Sequence, residues 1–217
     1  MSFNQTKPII YQITDGTLTD ESVSTHGFDS ILELIRIAVS EKISMIQLRE
    51  KNLSARVLFE LTKQAAQITK GTESRLLVND RADIALAAEA DGVQLTSVSL
   101  PTAIIRKTFP CDFLIGVSTH SLIEAQTAFD EGADFAVFGP VFDTPSKRIY
   151  GKPVGLEKLK DVSDALKPFP VIAIGGIDLT NAKATLQNDA SGIAAIRLLH
   201  DATNLHDVIQ SIKSFEL

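Results

Sequence analysis

The stretch IIYQITDGTLTD, Ile9 to Asp20, decides between two folds. Its first half is a β-branched run and reads as a buried strand. Its second half, TDGTLTD (Thr14–Asp20), is the turn that follows. A doubly wound open sheet would place a glycine-rich turn at this point. Here the turn holds one glycine, Gly16.

The rest of the chain repeats the same unit. Candidate strands follow at Met45–Leu48, Arg75–Val78, Gly92–Leu95, Phe113–Val117, Phe135–Gly139, Val171–Ile174 and Gly192–Ile196. Most are continuous apolar runs, as expected for parallel strands covered on both faces. Helical stripes lie between them. Ile31, Leu34, Ile35, Ala38 and Val39 form one, with Asp29 as expected N-cap. Leu53, Val57, Leu58, Leu61, Ala65 and Ile68 form another, and more follow Pro101, Gly155, Leu179 and Asn204. SLIE (Ser121–Glu124) has the pattern of a capping box. Eight strand–helix units in 217 residues predict a compact α/β fold, a (β/α)8 TIM barrel. No linker or composition shift interrupts the chain, so residues 1–217 are expected to form one domain.

Composition narrows the function. The chain is 44% hydrophobic and 22% charged, as in a soluble globular protein. Its net charge of −6 argues against general nucleic-acid binding, which needs a basic surface. No apolar run approaches the roughly 18 residues of a membrane span. The first ten residues, MSFNQTKPII, lack the apolar stretch of a signal peptide. Cys111 is the sole cysteine, which precludes an intrachain disulfide and suits a reducing, cytoplasmic setting. It precedes a strand and reads as a structural thiol.

In such a barrel the residues after each strand converge on one mouth. VIAIGGIDL (Val171–Leu179) is the strongest local signal there. Gly175 and Gly176 would let backbone N–H groups approach an anion, with a following helix adding positive potential. Barrels often bind phosphate after strands seven and eight, and this is strand seven. Ile196 and Arg197 end strand eight beside it. QLREK (Gln47–Lys51) ends strand two. Gln47, Arg49 and Lys51 alternate, so an extended chain puts them on one face, suited to a polyanionic substrate. NDR (Asn79–Arg81) ends strand three, where Asp80 offers a carboxylate to Mg²⁺ and could equally cap a helix or pair with Arg49. GVSTHS (Gly116–Ser121) ends strand five with Ser118 and His120, and a histidine there can move protons near neutral pH. His26, His200 and His206 fall in loops or near helix starts. The long loop within FGPVFDTPSKRIYGKPVG (Phe138–Gly155) carries Thr144, Ser146 and Lys147 as anion donors and reads as a lid.

Taken together, QLREK, NDRADIA, GVQL, IGVSTHS, GADFAVFGPVFDTPSK, PVIAIGGI and GIAAIRLL, in this order, resemble the thiamine phosphate synthase/TenI superfamily over nearly the whole chain. The resemblance implies two activities. The synthase joins a pyrimidine diphosphate to a thiazole phosphate and releases pyrophosphate with Mg²⁺. TenI-like members carry out a metal-free tautomerisation of a thiazole carboxylate phosphate, with a histidine matching His120. The implied substrate contacts are Gln47, Arg49, Lys51, Asn79, Ser118, Thr144, Ser146 and Lys147. The implied phosphate contacts are Gly175, Gly176 and the strand-eight end at Ile196 and Arg197. Arg197 departs from the family pattern and either pairs with the phosphate or blocks its pocket.

One stretch separates the activities. The synthase has a second Mg²⁺-binding aspartate in a Gly-Gln-acid-Asp stretch after strand four. This chain has TSVS (Thr96–Ser99) there, so Ser99 occupies that position. Synthesis needs Mg²⁺ to neutralise a departing pyrophosphate, and a hydroxyl is a poor ligand. Tautomerisation needs a phosphate anchor and one acid–base residue. The sequence therefore favours the tautomerase, with no cofactor. The alternatives are a synthase with Mg²⁺ at Asp80, motivated by QLREK, NDR and TPSK, and a thiazole-phosphate-binding protein without turnover. The expected partners are thiazole phosphate and, for a synthase, the pyrimidine diphosphate. A homodimer stays open.

Overall fold

A computed structural model describes residues 8–144 and 152–215. Eight parallel strands close into a barrel in sequence order. They are β1 (Ile9–Ile13), β2 (Met45–Leu48), β3 (Arg75–Asn79), β4 (Gly92–Leu95), β5 (Leu114–Thr119), β6 (Phe135–Phe138), β7 (Val171–Ile174) and β8 (Gly192–Ala195). The seam is β1 against β8, with Tyr11 beside Ala194. The helices are α1 (Asp20–His26), α2 (Asp29–Ser40), α3 (Ala55–Thr69), α4 (Ala82–Ala87), α5 (Thr102–Thr108), α6 (Leu122–Asp130), α7 (Gly155–Leu166), α8 (Ala182–Gln187) and α9 (Leu205–Lys213). A 3-10 turn at Arg197–Leu199 follows β8.

Strand alternation divides the core in two. Tyr11, Met45, Leu77, Leu114, Phe135, Val137, Ile172 and Ala194 point inward and fill the barrel. Ile10, Ile46, Leu76, Val93, Ile115, Ala136, Ala173 and Ile193 point outward and pack under the helices. Each strand is thus buried on both faces, which explains why most run apolar with few polar breaks. Removing water from each of the Val, Leu, Ile, Met and Phe side chains contributes about 1.5–3 kcal/mol. Helix α2 buries Ile31, Leu32, Leu34, Ile35 and Ala38, close to the expected stripe. Its N-cap is Phe28, and Asp29 sits inside the first turn. That position still suits a carboxylate, which favours the positive end of the helix dipole. At α6, Ser121 caps Glu124 N, but Glu124 accepts from His120 N rather than from Ser121 N. The expected reciprocal box is therefore displaced by one residue.

Candidate active site

Inward polar residues gather at the C-terminal end of the barrel in two hydrogen-bonded rows. In the first, Gln47 Nε2 donates to Asn79 Oδ1 at 3.0 Å. Asn79 Nδ2 then donates to Asp80 Oδ2 at 2.7 Å. In the second, Tyr11 Oη donates to Gln94 Oε1 at 3.2 Å, and Gln94 Nε2 donates to Ser118 Oγ at 3.1 Å. Gln47, Asn79 and Gln94 are buried, so their amides need these partners.

Asp80 is the focus of the first row. Its backbone has φ 59°, a left-handed conformation uncommon outside glycine. Its Oδ1 accepts from Thr96 Oγ1 at 2.9 Å and also from Ser99 Oγ. Ser99 Oγ additionally accepts from Thr96 N at 2.7 Å. The hydroxyl-only end of β4 is therefore a clamp on the carboxylate of β3. A carboxylate oxygen offers two lone pairs. Oδ1 uses both on hydroxyls, whereas Oδ2 uses one on Asn79. Among the described residues, one carboxylate lone pair is left. Mg²⁺ binds through one or two carboxylates plus substrate phosphates, so this donor set fits Mg²⁺ as one protein ligand. Among the described residues, no three His, Cys, Asp or Glu side chains are grouped to hold a metal.

The expected row in QLREK extends only as far as β2. β2 ends at Leu48 and a turn follows at Lys51 and Asn52, so Gln47 alone of the row lies on the strand. Arg49 is half-buried and its guanidinium lies alongside Gly16 of the β1 loop. Lys51 is exposed, and with Glu50, Asn79, Asp80 and Arg81 it lines a groove of about 280 Å³ between the β2 and β3 ends. Glu50, which the sequence did not single out, is 2% exposed. It accepts from Gly16 N at 3.2 Å and Leu18 N at 3.0 Å, fixing the loop after β1.

Gly175 and Gly176 both have left-handed backbones, with φ 99° and 67°. A Cβ on Gly175 would lie 2.5 Å from Pro140 Cβ, and one on Gly176 would lie 2.7 Å from Phe142 Cβ. The pair is thus required by backbone angle and by the close β6 loop, whose Phe142 N bonds Gly175 O. The helix expected after Leu179 is present, set apart from these glycines. An Asp178–Asn181 turn intervenes and α8 starts at Ala182. Ile196 is half-buried on top of the interior core beside Ile174. Arg197 is exposed and bonds no described side chain. Thr144 is buried, and its hydroxyl has no hydrogen-bond partner among the described residues. Ser146 and Lys147 lie outside the described residues.

His120 is exposed just beyond β5, and its Nδ1 bonds the Gly139 carbonyl. A carbonyl only accepts, so Nδ1 carries the proton and Nε2 is the basic nitrogen of the neutral ring. A second histidine stands at the mouth. His200 Nε2 lies 3.2 Å from Asp15 Oδ2, linking the β8 and β1 loops. Cys111 is free and exposed before the N-terminal end of β5, whereas the rows gather at the C-terminal ends of the strands. Among the described residues, no helix is long and apolar enough to cross a membrane.

Residues 11–199 match the family model described as thiamine monophosphate synthase. The thiamine-phosphate synthase of Moorella thermoacetica is 39% identical over 174 residues, covering 80% of this chain and 82% of the relative. That of Caldanaerobacter subterraneus subsp. tengcongensis is 34% identical over 208 residues, covering 94% and 93%. A solved thiamine phosphate pyrophosphorylase from Pyrococcus furiosus superposes with a TM-score of 0.77 at 33% identity, covering 96% of this chain and 98% of that one.

Proposed function

Because this chain belongs to the thiamine monophosphate synthase family, we propose that it joins a hydroxymethylpyrimidine diphosphate to a thiazole phosphate and releases pyrophosphate. This reverses the order of preference drawn from Ser99 alone. The observation that carries it is the bonded row Gln47–Asn79–Asp80, which ends in a carboxylate with one lone pair left for a cation. The Thr96 and Ser99 hydroxyls hold that carboxylate, so the missing second aspartate is replaced by a support. The names of the relatives support the same reading.

Asp80 would hold Mg²⁺, which supplies neutralisation of the negative charge on the departing diphosphate. In the transfer, the carbon–oxygen bond to the diphosphate breaks and pyrophosphate leaves with the electron pair, while the thiazole forms the new bond to that carbon. Holding the two substrates in one mouth makes the step effectively unimolecular. Arg49, at the β1 loop, and Lys51, at the groove rim, bring positive charge toward the diphosphate. Gly175 and Gly176, packed against the β6 loop, would turn backbone N–H groups toward the thiazole phosphate, and Ile196 would form the apolar floor. Thr144 offers from the β6 loop a hydroxyl that is unpaired among the described residues.

A second reading, the thiazole tautomerase, is favoured by one observation. The Gly139 carbonyl holds the His120 ring with Nε2 as base, which suits a proton shuttle. The two readings separate in a paired assay. Thiamine phosphate formed from both substrates, and abolished by a chelator, supports the synthase. Chelator-insensitive interconversion of thiazole tautomers, without thiamine phosphate, overturns it in favour of the tautomerase.

A further inference from the structure

We infer that Gln94 and Tyr11 are positioning residues that force the Ser118 hydroxyl to present its proton to the barrel mouth, so that the ligand atom meeting Ser118 is a hydrogen-bond acceptor. The inference rests on the reading of this mouth as a phosphate-substrate site.

The row is directional. Tyr11 Oη lies 3.2 Å from Gln94 Oε1 and can give it a proton. The inward face of β1 buries Tyr11 completely, and that burial raises its pKa well above the ordinary value. The phenol therefore stays protonated, and the oxygen it faces, Gln94 Oε1, can only accept. An amide whose oxygen is taken by a donor turns its NH₂ the other way. Gln94 Nε2 accordingly faces Ser118 Oγ at 3.1 Å. Ser118 Oγ then accepts from below, and its own proton has no acceptor among the described residues. Ser118 lies on β5 one inward position beyond Gly116, toward the C-terminal end of the barrel.

The room for this row comes from Gly116. A Cβ there would lie 2.5 Å from Gln94 Oε1 and 2.3 Å from Phe135 Cζ. Gln94 pairs with Gly116 across β4 and β5, so the amide occupies the space that a side chain would fill. Phe135 in turn meets Tyr11 edge-on, with ring centroids 5.9 Å apart. The packing therefore fixes both ends of the amide, which a merely space-filling glutamine would not need.

The test is a double-mutant cycle on binding, with melting temperature measured in parallel. The probes are inorganic pyrophosphate with Mg²⁺ and thiazole phosphate, each titrated calorimetrically into the full chain. Gln94→Leu and Ser118→Ala should each weaken at least one probe roughly tenfold. The double variant should bind no worse than Ser118→Ala, because Gln94 acts through Ser118. Tyr11→Phe keeps the ring packing and should show a smaller loss that also vanishes in the Ser118→Ala background, so it serves if Gln94→Leu fails to fold. Additive losses in the cycle overturn the inference, as does a wild-type chain that binds neither probe. A wild type that binds, shows the coupling and forms no thiamine phosphate overturns the synthase reading and leaves the relay standing.

Discussion

The Ser99 hydroxyl donates to the Oδ1 atom of Asp80, at the position where the synthase family pattern has a second aspartate. In place of a second carboxylate, this hydroxyl restrains the carboxylate proposed to hold Mg²⁺. Replacing Ser99→Asp puts two carboxylates in contact. Their repulsion should lower the stability of the Mg²⁺-free chain by about 1–3 kcal/mol. Mg²⁺ should restore most of it, since a cation between the two carboxylates removes the repulsion. Thermal melting with and without Mg²⁺ reads this directly. A variant as stable as wild type without Mg²⁺ would mean that position 99 does not face Asp80.

Glu50 holds the β1 loop through two backbone N–H groups. Glu50→Gln keeps the size of the side chain but turns one acceptor into a donor facing an N–H. The expected loss is about 1–3 kcal/mol, the cost of a buried group left unpaired. Urea denaturation measures it. An unchanged midpoint would show that the loop is held by other contacts.

Gly176→Ala meets two obstacles. Its backbone is left-handed, and its Cβ would lie 2.8 Å from Asp143 O. The backbone angle alone costs about 1–3 kcal/mol. The substitution should lower the melting temperature and displace the β6 loop, weakening thiazole phosphate binding. Calorimetric titration of thiazole phosphate into a folded Gly176→Ala protein checks the second part. Wild-type affinity would remove Gly176 from the phosphate site.

His206 and Glu41 join α9 to α2, with Nδ1 and Oε1 2.8 Å apart. The hydrogen bond to Glu41 raises the His206 pKa above its ordinary 6.5, and the bond to His206 lowers the Glu41 pKa below its ordinary 4.5. A raised histidine stabilises fully below 6.5 and loses that contribution as pH rises through its folded value. A lowered carboxylate stabilises above 4.5 and loses that contribution as pH falls through its folded value. The melting difference between wild type and His206→Ala should therefore be greatest between pH 4.5 and 6.5 and shrink on either side. A pH-independent difference would mean that the contact is packing alone.

The barrel was legible because its strands are short, apolar and regularly spaced. Even Met45–Leu48 and Gly92–Leu95 were readable to the residue. The site was legible only where polarity falls at a strand end. Gln47, Asn79 and Asp80 met that condition. Gln94 did not, because in a strand buried on both faces alternation does not tell an inward amide from an outward one. Its partners Tyr11 and Ser118 are 83 and 24 residues away. Glu50 was hidden between Arg49 and Lys51, since its loop partners lie 32 and 34 residues earlier. At Ser99 the sequence displays the absent ligand, whereas the hydroxyl's new acceptor appears only when β3 and β4 lie side by side. The helix after Leu179 was legible as a stripe, whereas the turn that Asp178 and Asn181 close between it and Gly176 was not.

The most direct measurement is the rate of thiamine phosphate formation from the pyrimidine diphosphate and thiazole phosphate, in wild type and Asp80→Asn, across a wide range of Mg²⁺. The synthase account predicts Mg²⁺-dependent product from wild type and a loss of at least about a hundredfold in Asp80→Asn, as expected for removing a charge-stabilising group. No product from the wild type at any Mg²⁺ concentration, or equal rates in the two proteins, would contradict it.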